Sequence, residues 1–304
     1  MELSLKKLLQ KYHFRPDKRL GQHFLISRKA LQKIIQAAEL SKEDVVLEIG
    51  PGLGILTEQL AQKVKRVVAV EKDKRMVQIL KETLKDCQNA EIIQGDILKI
   101  KVLPSRFRDF AENKIAAEKT GLGRRGQKAL LHSGINYKLV ANIPYYLTSP
   151  LIRLFLEAEK PPQMMVLLIQ KEVAQRICAQ PPKMSLLAVA VQFYSQPKIV
   201  SSVPKKSFWP QPKVDSAIIK IVPRPPAMTS QESRKKFFQI VKAGFVWPRK
   251  QLANNLSRKL SLDREEIKKA LTERGLNPQV RAENLSVEDW QRLASIIASM
   301  AERE

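Results

Sequence analysis

Between residues 45 and 169, short apolar runs of strand type alternate with segments of helical periodicity. The first run, Val45–Ile49, leads directly into glycines at 50, 52 and 54, after which Leu56 and Leu60 recur at helical spacing. Further runs of strand type are Val67–Val70, Glu91–Gln94, Lys138–Ala141 and Met164–Ile169. Strands separated by helices of this length form βαβ units with a mainly parallel sheet. The sequence therefore predicts an α/β fold.

A different pattern takes over toward the carboxyl terminus. The runs Ile199–Val203 and Ser216–Val222 predict an antiparallel hairpin at the sheet edge, and prolines at 223, 225 and 226 then interrupt the chain. Because helical periodicity dominates afterwards, we predict a first domain at residues 1–224 and a helical domain at 225–304. Residues of about 101–136 contain four glycines and few long apolar side chains, which predicts an inserted basic loop.

The composition limits the kinds of partner. The chain carries 54 Lys and Arg against 30 Asp and Glu, a net charge of +24, and the basic residues are spread over several segments. A broad basic surface suits a nucleic-acid backbone better than a membrane, which a single amphipathic helix usually binds. The apolar fraction of 44% argues against a disordered chain, and the short apolar runs argue against a membrane span. The two distant cysteines exclude a disulfide scaffold or a cysteine zinc site.

The ends of four predicted strands carry a glycine or a polar residue, namely Gly50, Glu71, Asp96 and Asn142. Ligands of open α/β sheets bind at the carboxyl ends of the strands. The glycine turn lets a ligand approach the backbone, and Glu71 follows Gly50 at a spacing where a carboxylate accepts both hydroxyls of a ribose. A dinucleotide-binding turn would have its third glycine at position 55, which is Ile55. The spacing leaves NAD and S-adenosylmethionine open and favours the latter.

The most specific signal is Asn142-Ile143-Pro144-Tyr145, after the fourth predicted strand. The exocyclic amine of a base is a poor nucleophile because its lone pair is delocalised into the ring. Two acceptors, the Asn142 side-chain oxygen and the Ile143 carbonyl, can bind its two N–H groups and draw the nitrogen toward a tetrahedral shape. Pro144 holds the turn, and Tyr145 can stack on the extruded base, a contact worth about 1–3 kcal/mol.

Five motifs together resemble those of a known family. They are Gly21-Gln22-His23-Phe24-Leu25, Glu48-Ile49-Gly50-Pro51-Gly52-Leu53-Gly54, Gly95-Asp96, Asn142-Ile143-Pro144-Tyr145 and Phe208-Trp209-Pro210-Gln211-Pro212-Lys213-Val214-Asp215-Ser216. In this order they resemble the ribosomal RNA adenine N6-dimethyltransferase family, over roughly residues 15–100 and 138–300. The resemblance implies a Rossmann-like S-adenosylmethionine-dependent methyltransferase sheet with a smaller all-helical C-terminal domain.

The resemblance also implies a cofactor site for S-adenosylmethionine and no metal. Its cofactor-binding residues would be His23, Leu25, Gly50, Gly52, Glu71, Asp96 and Asn142. Within this set, Glu71 would hold the ribose and Asp96 the adenine amine, while the turn at Gly50 would pass close to the methionine part. The family often has Asn at the position of His23.

A catalytic set is implied in the same way, comprising Asn142, Ile143, Pro144, Tyr145 and Phe208. Asn142 and the carbonyl of Ile143 would orient the target N6. Tyr145 and Phe208 would sandwich the base between their rings.

The helical part resembles the small-subunit branch of the family, through residues 245–256 and 281–286. The implied activity is dimethylation of N6 of two adjacent adenosines in a hairpin loop near the 3′ end of small-subunit rRNA. The predicted RNA-binding residues are Lys242, Arg249, Lys250, Arg258 and Lys259. The expected partner is this RNA or the pre-ribosomal small subunit, with no membrane partner, and the expected protein is a cytoplasmic monomer.

Three alternatives stay open. The first is a large-subunit rRNA adenine methylase of the macrolide-resistance type. The second is an RNA-binding assembly factor that kept the fold and lost turnover, although the intact motif at residues 142–145 argues against it. The third is a nicotinamide enzyme, which would share the glycine turn and Glu71 and would be supported only if NAD, and not S-adenosylmethionine, raised the melting temperature.

Overall fold

A computed structural model describes residues 9–14, 16, 21–99, 136–225, 228 and 230–301. The predicted inserted loop of about 101–136 lies outside the described residues, apart from residue 136. The chain divides into two compact units. The first comprises Met1–Ala174 and Lys198–Pro223, and the second comprises Gln175–Pro197 and Arg224–Glu304.

The strands of the described chain belong to two sheets. They are β1 (Phe24–Leu25), β2 (Val45–Ile49), β3 (Arg66–Glu71), β4 (Ala90–Gln94), β5 (Lys138–Asn142), β6 (Met164–Gln170), β7 (Ser195–Val203), β8 (Phe208–Trp209) and β9 (Ser216–Pro223). A seven-stranded sheet has the order β4-β3-β2-β5-β6-β9-β7, and a small second sheet pairs β1 with β8. From β4 to β6 the neighbouring strands are parallel, whereas β9 is antiparallel to β6. The predicted α/β class is confirmed.

Helices precede and connect the strands of the large sheet. They are α1 (Arg28–Ala37), α2 (Ile55–Ala61), α3 (Lys74–Thr83), α4 (Thr148–Leu156) and α5 (Lys171–Ile177). Capping side chains fix two of the starts: the Ser27 hydroxyl accepts from the Ala30 N–H at 3.3 Å, and an Asp73 carboxylate oxygen accepts from the Arg75 N–H at 3.0 Å. Such caps satisfy N–H groups that the first helical turn leaves unpaired.

The core of the first unit lies against the parallel strands. All five residues of β2 are buried, as expected of a parallel strand covered on both faces. Apolar side chains of α1 and α2, including Ile34 and Leu60, pack in one cluster with Val46 of β2 and Val140 of β5. This packing holds the carboxyl ends of the strands in fixed positions.

The second unit is helical. Its helices are α6 (Leu186–Tyr194), α7 (Gln231–Gly244), α8 (Leu252–Leu260), α9 (Arg264–Glu273) and α10 (Val287–Ala301). Trp290 of α10 is fully buried beside Gly244 of α7, where an added Cβ would lie only 2.4 Å from the indole ring. Glycine at this position therefore permits the close approach of the two helices.

One boundary differs from the prediction, which placed residues 175–197 in the first domain. Helix α6 is buried by the helices of the second unit, and the Phe193 and Phe237 rings stack with centroids 4.6 Å apart. The segment belongs to the second unit because its side chains pack there, and its position along the chain does not show this. Across the described part of the chain, no helix combines the length and apolarity that crossing a bilayer requires.

Candidate active site

A cleft opens at the carboxyl ends of the parallel strands in the first unit and encloses about 1140 Å³, its open mouth included. Strands β2, β3 and β5 end there, as expected for a ligand site of an open α/β sheet. All eleven residues predicted for the cofactor and for catalysis line it: His23, Leu25, Gly50, Gly52, Glu71, Asp96, Asn142, Ile143, Pro144, Tyr145 and Phe208.

Two distant segments reach the cleft through the small sheet. Leu25 of β1 pairs with Phe208 of β8, and the Ile26 N–H donates to the Ser207 carbonyl at 2.8 Å. This pairing explains why the motif at residues 21–25 and the motif at 208–216 occur in one site. Spacing along the sequence gives no sign of it.

The glycine turn after β2 has a backbone that side-chain-bearing residues rarely adopt. The φ angles of Gly50, Gly52 and Gly54 are +65°, +59° and +82°. The Gly50 N–H donates to the Val70 carbonyl at 2.9 Å, which ties the turn to β3. At Gly52 an added Cβ would also lie 3.2 Å from the Phe24 ring. The turn therefore presents bare backbone to the cleft.

Glu71 ends β3 as a buried carboxylate. The Asp73 N–H donates to its Oε1 at 2.8 Å. Burial raises the pKa of Glu71 above its ordinary value, while backbone N–H groups from Asp73, Gly52 and Lys72 act in the opposite direction. A buried carboxylate with acceptor capacity at a strand end is suited to binding hydroxyl groups.

Asp96 follows β4 at the rim of the cleft. Its carboxylate pairs with the Lys72 ammonium at 3.0 Å and accepts from the Leu98 N–H at 3.1 Å. Partial burial opposes ionisation, but the hydrogen bond and charge of Lys72 prevail and hold the pKa of Asp96 below its ordinary value. The side chain is therefore an ionised acceptor at neutral pH.

Glu48 belongs to the motif at residues 48–54, but the sequence pattern did not predict a role for it in the site. It lines the cleft from β2, its exposed fraction is 1%, and its Oε2 has no hydrogen-bond partner among the described residues. Burial raises its pKa to about 8, and the negative charge of Glu71 adds to the effect. The sequence feature that could have indicated a role for Glu48 is that it is the single acidic residue in the otherwise apolar strand Val45–Ile49.

Asn142, the last residue of β5, is oriented by a contact with the first motif. Its Nδ2 donates to the His23 carbonyl oxygen at 3.0 Å. Because a carbonyl can only accept, the nitrogen must face His23 and the Oδ1 must face away from it. The His23 ring is itself fixed, since its Nδ1 lies 2.7 Å from the Pro210 carbonyl oxygen.

Tyr145 and Phe208 both line the cleft, with different exposure. Tyr145 is half-buried, its hydroxyl lies 2.9 Å from Ser216 Oγ, and burial raises the pKa of its phenol. Its ring stacks on His23 with centroids 5.8 Å apart. Phe208 is only 3% exposed and also packs in the apolar core. The sandwich of a base between these two rings stays a prediction.

The five predicted RNA-binding residues belong to the second unit, and all are exposed. Lys242 lies on α7, Arg249 and Lys250 in the loop that follows, and Arg258 and Lys259 in the last turn of α8. Arg258 and Lys259 lie near this loop, because both approach the ring of Trp247, which belongs to it. The Arg258 guanidinium carbon and the Lys259 ammonium lie 5.0 Å and 5.5 Å from the centroid of its ring system.

Similarity to known proteins extends over nearly the whole chain. A model of the family described as "Ribosomal RNA adenine dimethylase" matches residues 13–299. A Dehalococcoides mccartyi protein named "Ribosomal RNA small subunit methyltransferase A" is 42% identical over 291 residues, which cover 96% of this chain and 91% of the relative. A Bacillus mycoides protein of the same name is 38% identical over 297 residues, covering 96% and 94%.

Two solved structures are similar in fold and in sequence. The 23S rRNA methyltransferase ErmE has a TM-score of 0.67 at 26% identity, covering 90% of this chain and 99% of that one. A dimethyladenosine transferase from Plasmodium falciparum also has a TM-score of 0.67 at 26% identity, covering 91% and 98%.

Proposed function

The chain belongs to the ribosomal RNA adenine dimethylase family, and we propose that it methylates N6 of two adjacent adenosines in small-subunit rRNA. Each adenosine, in a hairpin loop near the 3′ end of that RNA, receives two methyl groups. The names of relatives that are 38% and 42% identical support the small subunit as the target. The observation that carries the chemistry is the Asn142 amide, which is bound to the His23 carbonyl so that its oxygen is left for an amine.

The residues of the cleft fit S-adenosylmethionine as the cofactor. Glu71 is an acceptor suited to ribose hydroxyls, and Asp96 is an acceptor suited to an amine. Glu48 Oε2 is buried and has no hydrogen-bond partner among the described residues, so a polar group of a ligand in the cleft could form the hydrogen bond that this oxygen lacks. When bound, the cofactor supplies a methyl group activated by a positively charged sulfur.

The residues of the Asn142 motif activate the target amine. The Asn142 Oδ1 and the Ile143 carbonyl accept the two N–H groups, and this geometry frees the nitrogen lone pair. The Ile143 N–H donates to the Leu168 carbonyl at 3.2 Å, which fixes the peptide next to the acceptor. Because these acceptors are held by the fold before the substrate binds, they need little reorganisation during the reaction. No strong base is required, since the methylated ammonium on a purine loses its proton readily.

Tyr145 and Phe208 hold the extruded base. The Tyr145 hydroxyl is within hydrogen-bond distance of Ser216 Oγ, and its ring packs on His23, so the ring plane is fixed. Stacking of about 1–3 kcal/mol per base offsets the cost of removing the adenine from its neighbours. We assign Pro144 to holding the turn between the acceptors and the aromatic ring.

The second candidate is a large-subunit rRNA adenine methylase, and similarity to the 23S rRNA methyltransferase ErmE favours it. Identity to ErmE is 26%, against 38–42% for the relatives named after the small subunit. We therefore retain the small subunit as the target. A ribosomal RNA substrate further predicts a cytoplasmic site of action, and we expect a monomer.

Mass spectrometry of the methylated RNA tests this proposal. The full chain is incubated with labelled S-adenosylmethionine and either pre-ribosomal small subunits or large-subunit RNA, and the RNA is digested to oligonucleotides whose masses locate the methyl groups. We expect label in N6-dimethyladenosine from two adjacent positions of the small-subunit RNA, and much slower labelling with Asn142→Ala. Label only in the large-subunit RNA would favour the second candidate. RNA binding without any label would indicate an assembly factor that lost turnover.

A further inference from the structure

Trp247 is an exposed aromatic residue in the loop between α7 and α8. It is 37% exposed, and its neighbour Val246 is 41% exposed. The chain has three tryptophans, and the other two are Trp209 in the small sheet and the fully buried Trp290. Single exposed apolar residues are common on protein surfaces and carry no function by themselves. The surroundings of Trp247 distinguish it.

The loop that carries Trp247 is held in place by a buried amide. Asn255 Nδ2 donates to the Gly244 carbonyl at 2.6 Å and to the Trp247 carbonyl at 3.0 Å, and Asn255 is fully buried. The Lys250 N–H also donates to the Trp247 carbonyl, at 2.9 Å. The backbone of Trp247 is therefore fixed before any ligand binds, which lowers the entropy cost of binding.

Two cationic side chains lie over the exposed indole. Arg258 and Lys259 approach its ring at 5.0 Å and 5.5 Å, and Lys242, Arg249 and Lys250 are exposed on the same loop and the adjoining helix. No acidic residue occurs from position 242 to 262. Throughout the described residues, none of these five basic side chains forms an ion pair. We call Trp247 with these five residues the basic surface.

We propose that Trp247 stacks on an unpaired base of the RNA while the flanking cations bind the phosphates on either side of it. The proposal rests on the proposed function and adds a second base-binding position, on the helical unit. An exposed indole in contact with cations that form no ion pair among the described residues matches single-stranded RNA, in which both the base face and the phosphates are accessible. In a duplex the base faces are covered by their neighbours, so Trp247 selects unpaired RNA.

Binding assays on the full chain test this assignment. The probes are an RNA hairpin with an unpaired adenosine-rich loop and a blunt RNA duplex of equal length. We expect Trp247→Ala to weaken hairpin binding about 5- to 100-fold, the range that base–aromatic stacking gives, and to leave duplex binding nearly unchanged. Trp247→Phe keeps a π-face and retains most of the affinity. Trp247→Leu keeps an apolar side chain without a π-face and behaves like Trp247→Ala.

Two further measurements separate stacking from charge and from misfolding. The slope of log affinity against log salt stays constant in Trp247→Ala, because no phosphate contact is lost. The melting temperature and the affinity for S-adenosylmethionine also stay at the wild-type values. Tryptophan fluorescence is quenched by the hairpin in the wild type, and the quenching falls in Trp247→Phe.

Equal hairpin affinity of wild type and Trp247→Ala, or equal losses for hairpin and duplex, would overturn the assignment. A shift of Trp247 emission to shorter wavelength on phosphatidylglycerol vesicles, with no response to RNA, would also overturn it, in favour of a membrane surface. If the wild type methylates small-subunit RNA and Trp247→Ala binds normally, this inference fails while the proposed function stands. If the fluorescence of Trp247 is quenched by unpaired RNA but no methyl is transferred, the proposed function fails and the stacking site stands.

Discussion

The cleft of the first unit and the basic surface of the second unit differ in burial and in charge. The acidic cleft residues assigned to the cofactor are Glu71 and Asp96, which are buried or partly buried, and Glu48 also lines the cleft. The basic surface has no acidic residue from position 242 to 262, and its side chains are exposed. One region suits a small ligand with hydroxyl groups and positive charge, and the other suits a polyanion.

Because the two regions differ in this way, mutation can separate cofactor and methyl-transfer chemistry from RNA binding. In a buried site a few short contacts dominate, since the low local dielectric strengthens each of them and water does not compete. On an exposed surface each contact is weak and screened by salt, so affinity comes from many charges together. Substitutions in the cleft should therefore change chemistry or cofactor affinity strongly, and those on the surface should change RNA affinity moderately.

The largest effect is expected for Asn142→Ala. Removal of the acceptor at the amine should lower the rate of methyl transfer about 10²- to 10³-fold, by analogy with the loss of one preorganised hydrogen bond in other active sites. RNA affinity should stay nearly unchanged, because the basic surface is intact. Radiolabelled transfer and filter binding on the same preparation measure both quantities. Retained transfer would contradict the role assigned to Asn142.

A second effect is expected for Glu71→Gln. Loss of the carboxylate should weaken S-adenosylmethionine about 10- to 100-fold, because hydrogen bonds to charged groups contribute about 1.5–3 kcal/mol each. Isothermal titration calorimetry measures the affinity. Glu58→Gln is the matched control, since Glu58 is an exposed acid of α2 in the same unit. Equal affinities in the two variants, or stabilisation of the wild type by NAD alone, would contradict the cofactor assignment.

Lys250→Glu should weaken RNA binding about tenfold at low salt and reduce the slope of log affinity against log salt by about 1. Cofactor affinity should not change. Lys63→Glu makes the same charge change at an exposed position between α2 and β3 and should leave RNA affinity nearly constant. Equal losses in the two variants would show that net charge, and not the basic surface, determines binding.

The smallest effect concerns pH and Glu48. Its pKa is raised from 4.5 to about 8 in the folded state, so between these values the folded chain holds a proton that the unfolded chain has released. The free energy of unfolding should therefore fall as pH rises through this window, by at most about 1.4 kcal/mol per pH unit from this group. Glu48→Gln should flatten that slope in thermal or denaturant unfolding. An unchanged slope would show that Glu48 titrates normally.

The sequence predicted the strands of the large sheet well, because each is a short apolar run next to glycine or a polar residue. The predicted Val45–Ile49 has the observed bounds, and the other parallel strands differ by one residue at one end, or at both ends for β3. The predicted cleft residues at the strand ends, Gly50, Glu71, Asp96 and Asn142, meet because parallel strands place their carboxyl ends on one edge. Their individual roles stay predictions.

The structural features that could not be predicted from the sequence depend on contacts between distant residues. The pairing of Leu25 with Phe208 and the bond from Asn142 to the His23 carbonyl join segments more than 100 residues apart. The place of α6 in the second unit depends on the stacking of Phe193 on Phe237. The raised pKa of Glu48 is a consequence of burial, which the residue type alone does not indicate.

A crystal structure of the full chain with S-adenosylhomocysteine and adenosine tests whether Asn142 and Ile143 bind the target amine. We predict the adenine N6 at hydrogen-bond distance, about 2.7–3.2 Å, from both the Asn142 Oδ1 and the Ile143 carbonyl oxygen. The Asn142 Nδ2 should remain on the His23 carbonyl in the same structure. An adenine in the cleft with its N6 away from both oxygens would contradict the account.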